Sequence, residues 1–352
     1  MMLWGLVIFY TVIEISIIFF HIGFLMKLEE IARLAGVSRT TASYVINGKA
    51  EKYRISEKTR LKVMAVVDKY NYQPNYAASS LRAGNSRTFG LIIPDLENTS
   101  YAKIAKLLER DARKSGFQLI ICCSDDSIKT EMNVAENLIR RGIDVLIVAT
   151  ALPGDNEFYR KIQAKGVPVV AIDRCLNDEF FSSVISEDLE GAYQLCEALL
   201  EKNVNSIGLI GAAELLGVSR ERELGFKAAL AQHSSSLKVQ YAYGENFSIE
   251  QGQLLAQQWI DQGCFPDAIL ITSYTLFVGV LDCLLAHPEL QKKTALATFG
   301  DNRLLDFLPI KVQSLPQQLE VIAEKTLQLA LLAAQGICNP SVDVVSRQLV
   351  KR

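Results

Sequence analysis

The sequence predicts a small all-α helix-turn-helix domain followed by a two-lobed α/β body carrying two parallel sheets. Three observations carry that prediction. Residues 27–59, KLEEIARLAGVSRTTASYVINGKAEKYRISEKT, hold three short helical patterns punctuated by Gly36, Ser38 and Ser56. From Thr88 onward, nine strand-length apolar runs alternate with amphipathic stretches, the pattern of βαβ units in parallel sheets. The chain's 352 residues, 49% hydrophobic and 22% charged, suffice for two or three filled cores.

The first helix places Leu28, Ile31, Ala32 and Ala35 at helical spacing, and Gly36-Val37 makes the turn, where a residue without a Cβ fits most easily. Ser38 caps the second helix. That helix turns Ala42, Val45 and Ile46 inward and leaves Arg39, Thr40, Ser43 and Tyr44 as a polar face. Such a face has the chemistry of a DNA-reading edge. Arg39 can pair with guanine, Thr40 can meet a base or a thymine methyl, and Tyr44 can reach base edges or phosphate. With the neighbouring Ser38, Thr41 and Asn47, these residues form the candidate DNA-binding set. A solvated helix of some unrelated bundle is the alternative. The third helix opens after Ser56 and closes the core with Val63, Val66, Val67 and Tyr70, before NYQPN at 71–75 stops it.

Charge is uneven along the chain. The net charge is -2, yet Lys27 to Asn85 holds eleven Lys/Arg against five Asp/Glu, so the remainder is acidic. A contact with nucleic acid at one end fits that distribution. Residues 76–87 are small and polar with Leu81 as the one bulky aliphatic side chain, and read as a linker whose leucine either packs on the body or serves elsewhere.

Residues 1–25, MMLWGLVIFYTVIEISIIFFHIGFL, are apolar enough to span a bilayer. They carry no basic start and no small-residue cleavage site, unlike a secretory signal. A membrane helix ending at Leu25 would leave no linker before the first helix. The preferred expectation is a misplaced upstream start with Met26 as the first residue, and a membrane anchor is the alternative. Seven cysteines, odd in number and without CxxC spacing, read as small core residues in a reducing, cytoplasmic compartment.

In the body, residues 88–352, the runs are 89–94, 117–123, 145–150, 167–173, 182–187, 206–212, 239–244, 268–273 and 294–301, with helices expected at 101–115, 131–141 and 189–201. Ligands of open parallel sheets sit beyond the carboxyl ends of the strands. The residues there include Asp95, Tyr101, Thr150, Asp173, Arg174, Ser273 and Asp301, and SRERELGF adds Arg222. Carboxylates, hydroxyls and guanidiniums suit sugar hydroxyls and an anion. A helix cap or surface ion pair is the bland role for each.

LEEIARLAGVSRTTASYVINGK, NYQPN, the small-residue segment ending in Leu81, FGLIIPDLENTSY and TFGDN together resemble the lactose-repressor (LacI/GalR) family of transcription regulators, from Met26 to about Arg352. The resemblance implies a helix-turn-helix domain over 26–75, a hinge over 76–87 that folds on operator DNA with Leu81 wedged into the minor groove, and a periplasmic-binding-protein-like bilobed sensor. It implies that Arg222, within the family's R-x-x-G-F motif, grips the effector, that Tyr101 lines the first lobe, and that Asp173, Ser273 and Asp301 match or neighbour effector contacts. The family commonly has two acidic residues after the ninth run, whereas Gly300-Asp301 leaves one here. The closest likeness lies with fructose-responsive members, so a phosphorylated fructose is the expected effector, with Arg174, Arg220 and Arg222 available for its phosphate. An unphosphorylated sugar is the alternative. A homodimer or tetramer, operator DNA, and no cofactor or metal complete the expectation.

A periplasmic sugar-binding protein would share the body but would not carry a DNA reader before it. An enzyme is disfavoured: the sequence has no HExxH, P-loop or GxGxxG after a strand, and His21, His233 and His287 lie outside recognisable motifs.

Overall fold

The structure, a computed structural model, describes residues 26–72, 85–233 and 236–352. The apolar extension 1–25 and the segment 73–84 with Leu81 lie outside the described residues. Among the described residues, no helix is long and apolar enough to cross a membrane.

The N-terminal unit is a three-helix cluster. In α1 (Leu28–Ala35) the Lys27 amide donates to Glu30 Oε2 at 2.9 Å, which satisfies one free donor of the first turn. Gly36 ends it at φ +65, the left-handed geometry that favours glycine. The next helix, α2 (Arg39–Ile46), is capped by Ser38, whose Oγ accepts from the Thr41 amide at 3.1 Å. Replacing Ser38 by Ala is expected to cost about 1 kcal/mol of this unit's stability, read as a lowered urea midpoint. Ser56 caps α3 (Glu57–Lys69) in the same way. Ile31, Ala32, Ala42, Val45, Ala50 and Val63 form the core. Tyr70 departs from the expectation. The helix ends at Lys69, so Tyr70 falls outside its periodicity and stays exposed, while Met64 and Tyr72 pack in its place.

Two parallel sheets build the body. The first has the order β11-β5-β4-β3-β1-β2, from β1 (Thr88–Ile93), β2 (Gln118–Cys123), β3 (Val145–Val148), β4 (Val169–Ile172), β5 (Ser182–Ser186) and β11 (Ser341–Val345). The second has the order β10-β9-β8-β6-β7, from β6 (Ser206–Ala212), β7 (Lys238–Gly244), β8 (Ala268–Ile271), β9 (Ala295–Phe299) and β10 (Val312–Leu315). All nine apolar runs are strands. Both faces of each sheet are covered, which is why β3, β4 and β8 are buried at every residue.

Helices α4 (Thr99–Lys114), α5 (Ile128–Arg140) and α6 (Glu157–Ala164) cover the first sheet. Helices α7 (Asp188–Leu200), α8 (Gly217–Leu230), α9 (Ile249–Asp261), α10 (Tyr274–Ala286) and the short α11 (Pro288–Gln291) belong to the second lobe. The long α12 (Leu319–Ala334) returns to the first, packing Leu319, Ile322 and Ala330 among Phe89, Leu91 and Val145. The chain thus passes between lobes after β5, after β10 and after β11.

Strands β10 and β11 were not among the expected runs. Gln313 and Ser314 interrupt the first, and the second alternates as an edge strand, with Val342 and Val344 exposed. The cysteines depart from a uniform core role: Cys196 and Cys283 are buried, but Cys175 and Cys338 are exposed because they sit in connecting loops.

Candidate DNA-reading face and effector cleft

On α2, Arg39 and Thr40 are exposed and Tyr44 is half-buried. Arg39 Nε pairs with Glu29 Oε1 of α1 at 2.9 Å. Tyr44 stacks on Tyr53, with ring centroids 3.7 Å apart and planes 3° apart. A hydrogen bond with the Tyr53 hydroxyl pushes the Tyr44 phenol above its ordinary range. The Ser38 and Thr41 hydroxyls are hydrogen-bonded to each other at 2.8 Å, and Asn47 Nδ2 donates to the Ser43 carbonyl at 2.8 Å. Thr41, Ser43 and Asn47 therefore also shape the helix ends, while Arg39 and Thr40 are exposed and Tyr44 is half-buried beside Tyr53.

The cleft is a cavity of about 490 Å³ lined by residues of both lobes. Its size lies within the range of small-molecule sites. Thr150, Asp173 and Arg174 of the sequence-derived set line it. Asp173 adopts φ +65, and its carboxylate accepts from Tyr101 Oη at 2.6 Å and from Gln317 Nε2 at 2.8 Å. Burial alone would raise the Asp173 carboxyl. The Arg174 guanidinium and the bonds from Tyr101 and Gln317 outweigh it and hold Asp173 below the usual carboxylate range.

Arg174 is buried, and its Nη1 donates to Asp126 Oδ1 at 2.5 Å and to the Thr150 carbonyl at 3.2 Å. Its Nε is buried without a partner among the described residues. The Thr150 hydroxyl is already engaged, donating to Glu131 Oε1 at 2.5 Å while accepting from the Leu152 amide. Glu131 also accepts from Tyr159 Oη and the Ala151 amide, so this buried carboxylate holds the lining loop in place.

Arg222 lies behind the lining. Its Nε donates to Asp188 Oδ1 at 3.0 Å and its Nη1 to the Thr272 carbonyl at 2.7 Å. Arg347 Nη2 donates to the same Asp188 oxygen at 2.8 Å, and its Nη1 to the Leu315 carbonyl at 3.4 Å. Both guanidiniums lie over the Phe299 ring, at 4.4 and 5.1 Å from its centre. Asp188, Arg222 and Arg347 are all buried, and Asp188 lines the cavity. Arg347 thereby ties together the three passages between lobes, because Asp188 follows β5 and Leu315 ends β10. Burial pulls the Arg347 guanidinium below its ordinary range, and burial with the nearby Asp188 raises Glu221, another lining residue.

Asp95, Ser273 and Asp301 do not line the cavity. Asp95 accepts from the Asn98 amide at 2.6 Å, and Ser273 caps α10 through the Leu276 amide at 3.1 Å. Asp301 pairs with Arg352 at 2.8 Å and accepts from the Ser314 hydroxyl at 2.6 Å. The sequence did not single out Asp188, which lines the cavity, nor Asp126, Arg347 and Gln317, which bond to the lining residues Arg174, Asp188 and Asp173. Arg220 lines the cavity directly. Among the described residues, no group of three or more His, Cys, Asp or Glu side chains is arranged to hold a metal ion.

A capped helix-turn-helix unit preceding, in sequence, a bilobed body with a cleft of arginines and carboxylates defines a ligand-sensing DNA-binding regulator. Residues 27–75 match the family described as bacterial regulatory proteins, lacI family, and residues 86–296 match periplasmic binding proteins and sugar binding domain of LacI family. The fructose operon regulatory protein of Vibrio cholerae is 57% identical, over 93% of this chain and 100% of that protein. A crystal structure of the Cra transcriptional dual regulator from Pseudomonas putida in complex with fructose 1-phosphate is 46% identical, with TM-score 0.73, covering 76% of this chain and 98% of that one. The lac repressor dimer bound to operator and an anti-inducer shares the fold, with TM-score 0.79 at 21% identity over 93% of this chain and 98% of that one. The chain belongs to the LacI family: it is a DNA-binding transcriptional regulator of sugar metabolism and not an enzyme.

Proposed function

We propose that this regulator answers to a phosphorylated fructose bound in the cleft, with fructose 1-phosphate as the first candidate. The observation that carries the reading is the buried cluster just behind the cavity lining, in which two guanidiniums, Arg222 and Arg347, share a single oxygen of the lining residue Asp188. Such a cluster retains positive charge that an anion can neutralise. Arg174 and Arg220 supply further donors on the lining, while Asp173, Asp188 and Glu221 suit sugar hydroxyls. The fructose 1-phosphate complex of the Pseudomonas putida relative supports the same ligand class. Asp95, Thr150, Ser273 and Asp301 take the supporting roles of cap, loop anchor and ion pair in this reading. Calorimetric titration against fructose 1-phosphate, other sugar phosphates and free fructose tests it: equal binding of free fructose would remove the phosphate from the account.

On the DNA side, the reading face comprises Arg39, Thr40 and Tyr44, positioned by Ser38, Thr41, Ser43 and Asn47. Two copies in a cytoplasmic homodimer, or a tetramer made of two dimers, would meet successive major grooves of a near-palindromic operator. Lys and Arg side chains around 49–62 would contact phosphates and make affinity fall steeply with salt. The domains divide as 26–75 for DNA, 76–87 for the hinge and 88–352 for sensing and dimerisation. Leu81, outside the described residues, is proposed to wedge between base steps in the minor groove. Leu81→Ala is then expected to weaken operator binding roughly tenfold or more, on the scale of a few kcal/mol per wedge, without altering sugar-phosphate binding. Parallel loss of both, measured by anisotropy and calorimetry, would contradict the hinge assignment.

A further inference from the structure

We infer that Tyr53, outside the recognition helix, is a positioning residue for DNA sequence reading, holding Tyr44 of α2 in its reading orientation by face-to-face stacking. The inference rests on the proposed reading face. Four observations lead to it. The rings lie 3.7 Å apart and within 3° of parallel. The loop carrying Tyr53 is tied to Tyr44 itself, because the Lys49 amide donates to the Tyr44 carbonyl at 2.8 Å. The loop then folds back on its own backbone: the Tyr53 amide donates to Lys49 O at 3.2 Å, the Ile55 amide to Ala50 O at 2.9 Å, and Arg54 reverses the chain at φ +53. Finally, Ala50 is buried in the three-helix core and Ile55 packs against it, so the loop is anchored from below while Tyr53 stays 45% exposed.

An exposed aromatic on a solvent loop gains little from burial, so Tyr53 is not explained by the core. Its contact is with a side chain of the reading face. A free tyrosine on a recognition helix would sample several rotamers and lose that freedom on binding. One locked beforehand against a second ring spends less entropy and presents its hydroxyl in one direction. At the other end of α2, Arg39 is held from α1 by Glu29 in a comparable way. The two long side chains of the face are therefore both oriented from outside their own helix.

The full-length protein would be used to select duplexes from a randomised library, and anisotropy would then give affinities for the best selected duplex and for a scrambled one. Tyr53→Ala is expected to weaken the selected duplex about three- to tenfold, the value of an aromatic pair converted to affinity, with scrambled-duplex affinity and salt dependence unchanged. Tyr53→Phe keeps the stack while losing the bond between the two hydroxyls and should stay nearer the parent than Tyr53→Ala does, whereas Tyr53→Leu, which keeps bulk alone, should resemble Tyr53→Ala. Combining Tyr44→Ala with Tyr53→Ala should be no worse than Tyr44→Ala. Equal losses on both duplexes, a Tyr53→Phe as weak as Tyr53→Ala, or additive losses in the double variant would each overturn the inference. If Tyr44→Ala left the selected sequence preference untouched, the reading face itself would be at fault. An altered preference in Tyr44→Ala with a silent Tyr53→Ala would sink only the positioning role.

Discussion

Arg222→Ala is expected to bind operator DNA as the parent does and to lose the response to the sugar phosphate. Arg222 lies behind the cleft lining, two of its nitrogens on the lining residue Asp188 and one on the Thr272 carbonyl, with its plane over Phe299. It lies in the sensor body, whereas the DNA-reading residues lie in the N-terminal unit. Its removal takes away a guanidinium whose planar fork matches a phosphate or carboxylate. Each charge-assisted bond lost costs roughly 1.5–3 kcal/mol, so effector Kd should rise by roughly a hundredfold. The fold should survive, because Asp188 keeps Arg347 as a partner at 2.8 Å. Calorimetry for the effector and anisotropy for operator read the two halves separately. An unchanged effector affinity would remove Arg222 from the site.

Asp188→Asn is expected to act on stability instead. The carboxylate is shared by two buried guanidiniums that have no other anionic contact at hydrogen-bond distance among the described residues. Removing the charge while keeping the shape leaves Arg222 and Arg347 facing an amide in a buried setting. Breaking buried pairs in this way costs on the order of 3–5 kcal/mol, because the surviving charges are no longer compensated. The loss should appear as a large fall in the urea midpoint of the body. Saturating sugar phosphate should restore part of it, since a ligand bound only to the native state adds stability by mass action. A variant less than about 1 kcal/mol weaker than the parent would mean that the cluster is not held together by that charge.

Much of this architecture was legible in the sequence, for identifiable reasons. Buried parallel strands are continuous apolar runs, so β1 through β9 declared themselves, and the caps Ser38 and Ser56 marked their helices one residue ahead. The omissions share a cause. Strand β10 carries Gln313 and Ser314, and β11 is an edge strand alternating Val342, Asp343 and Val344, so neither read as an apolar run. The rule that ligands gather beyond strand ends therefore had no strand to apply to there. Gln317 follows β10 and Arg347 follows β11, and both were passed over. Asp188 follows β5, whose run was read, and the same rule applied there would have reached it.

The residues found by the rule divided by chemistry. Asp173 and Arg174 line the cleft because β4 ends at its floor, while Asp95 and Ser273 at equivalent strand ends serve as caps. A short polar side chain just before a helix satisfies its free amides whether or not a ligand is near, and sequence alone does not separate the two uses. Asp301 was set aside by a partner far along the chain, Arg352. Tyr53 had no signal in the sequence beyond being an aromatic residue in a basic loop.

The central claim is that cleft and operator are linked, so that a sugar phosphate bound to the body changes affinity for DNA. Anisotropy titration of a selected operator duplex, with and without saturating fructose 1-phosphate, tests it most directly. The account predicts a shift of roughly 5- to 150-fold in operator Kd, with the same factor appearing in the effector's Kd when DNA is bound. Calorimetric binding of fructose 1-phosphate together with an unchanged operator Kd would contradict it.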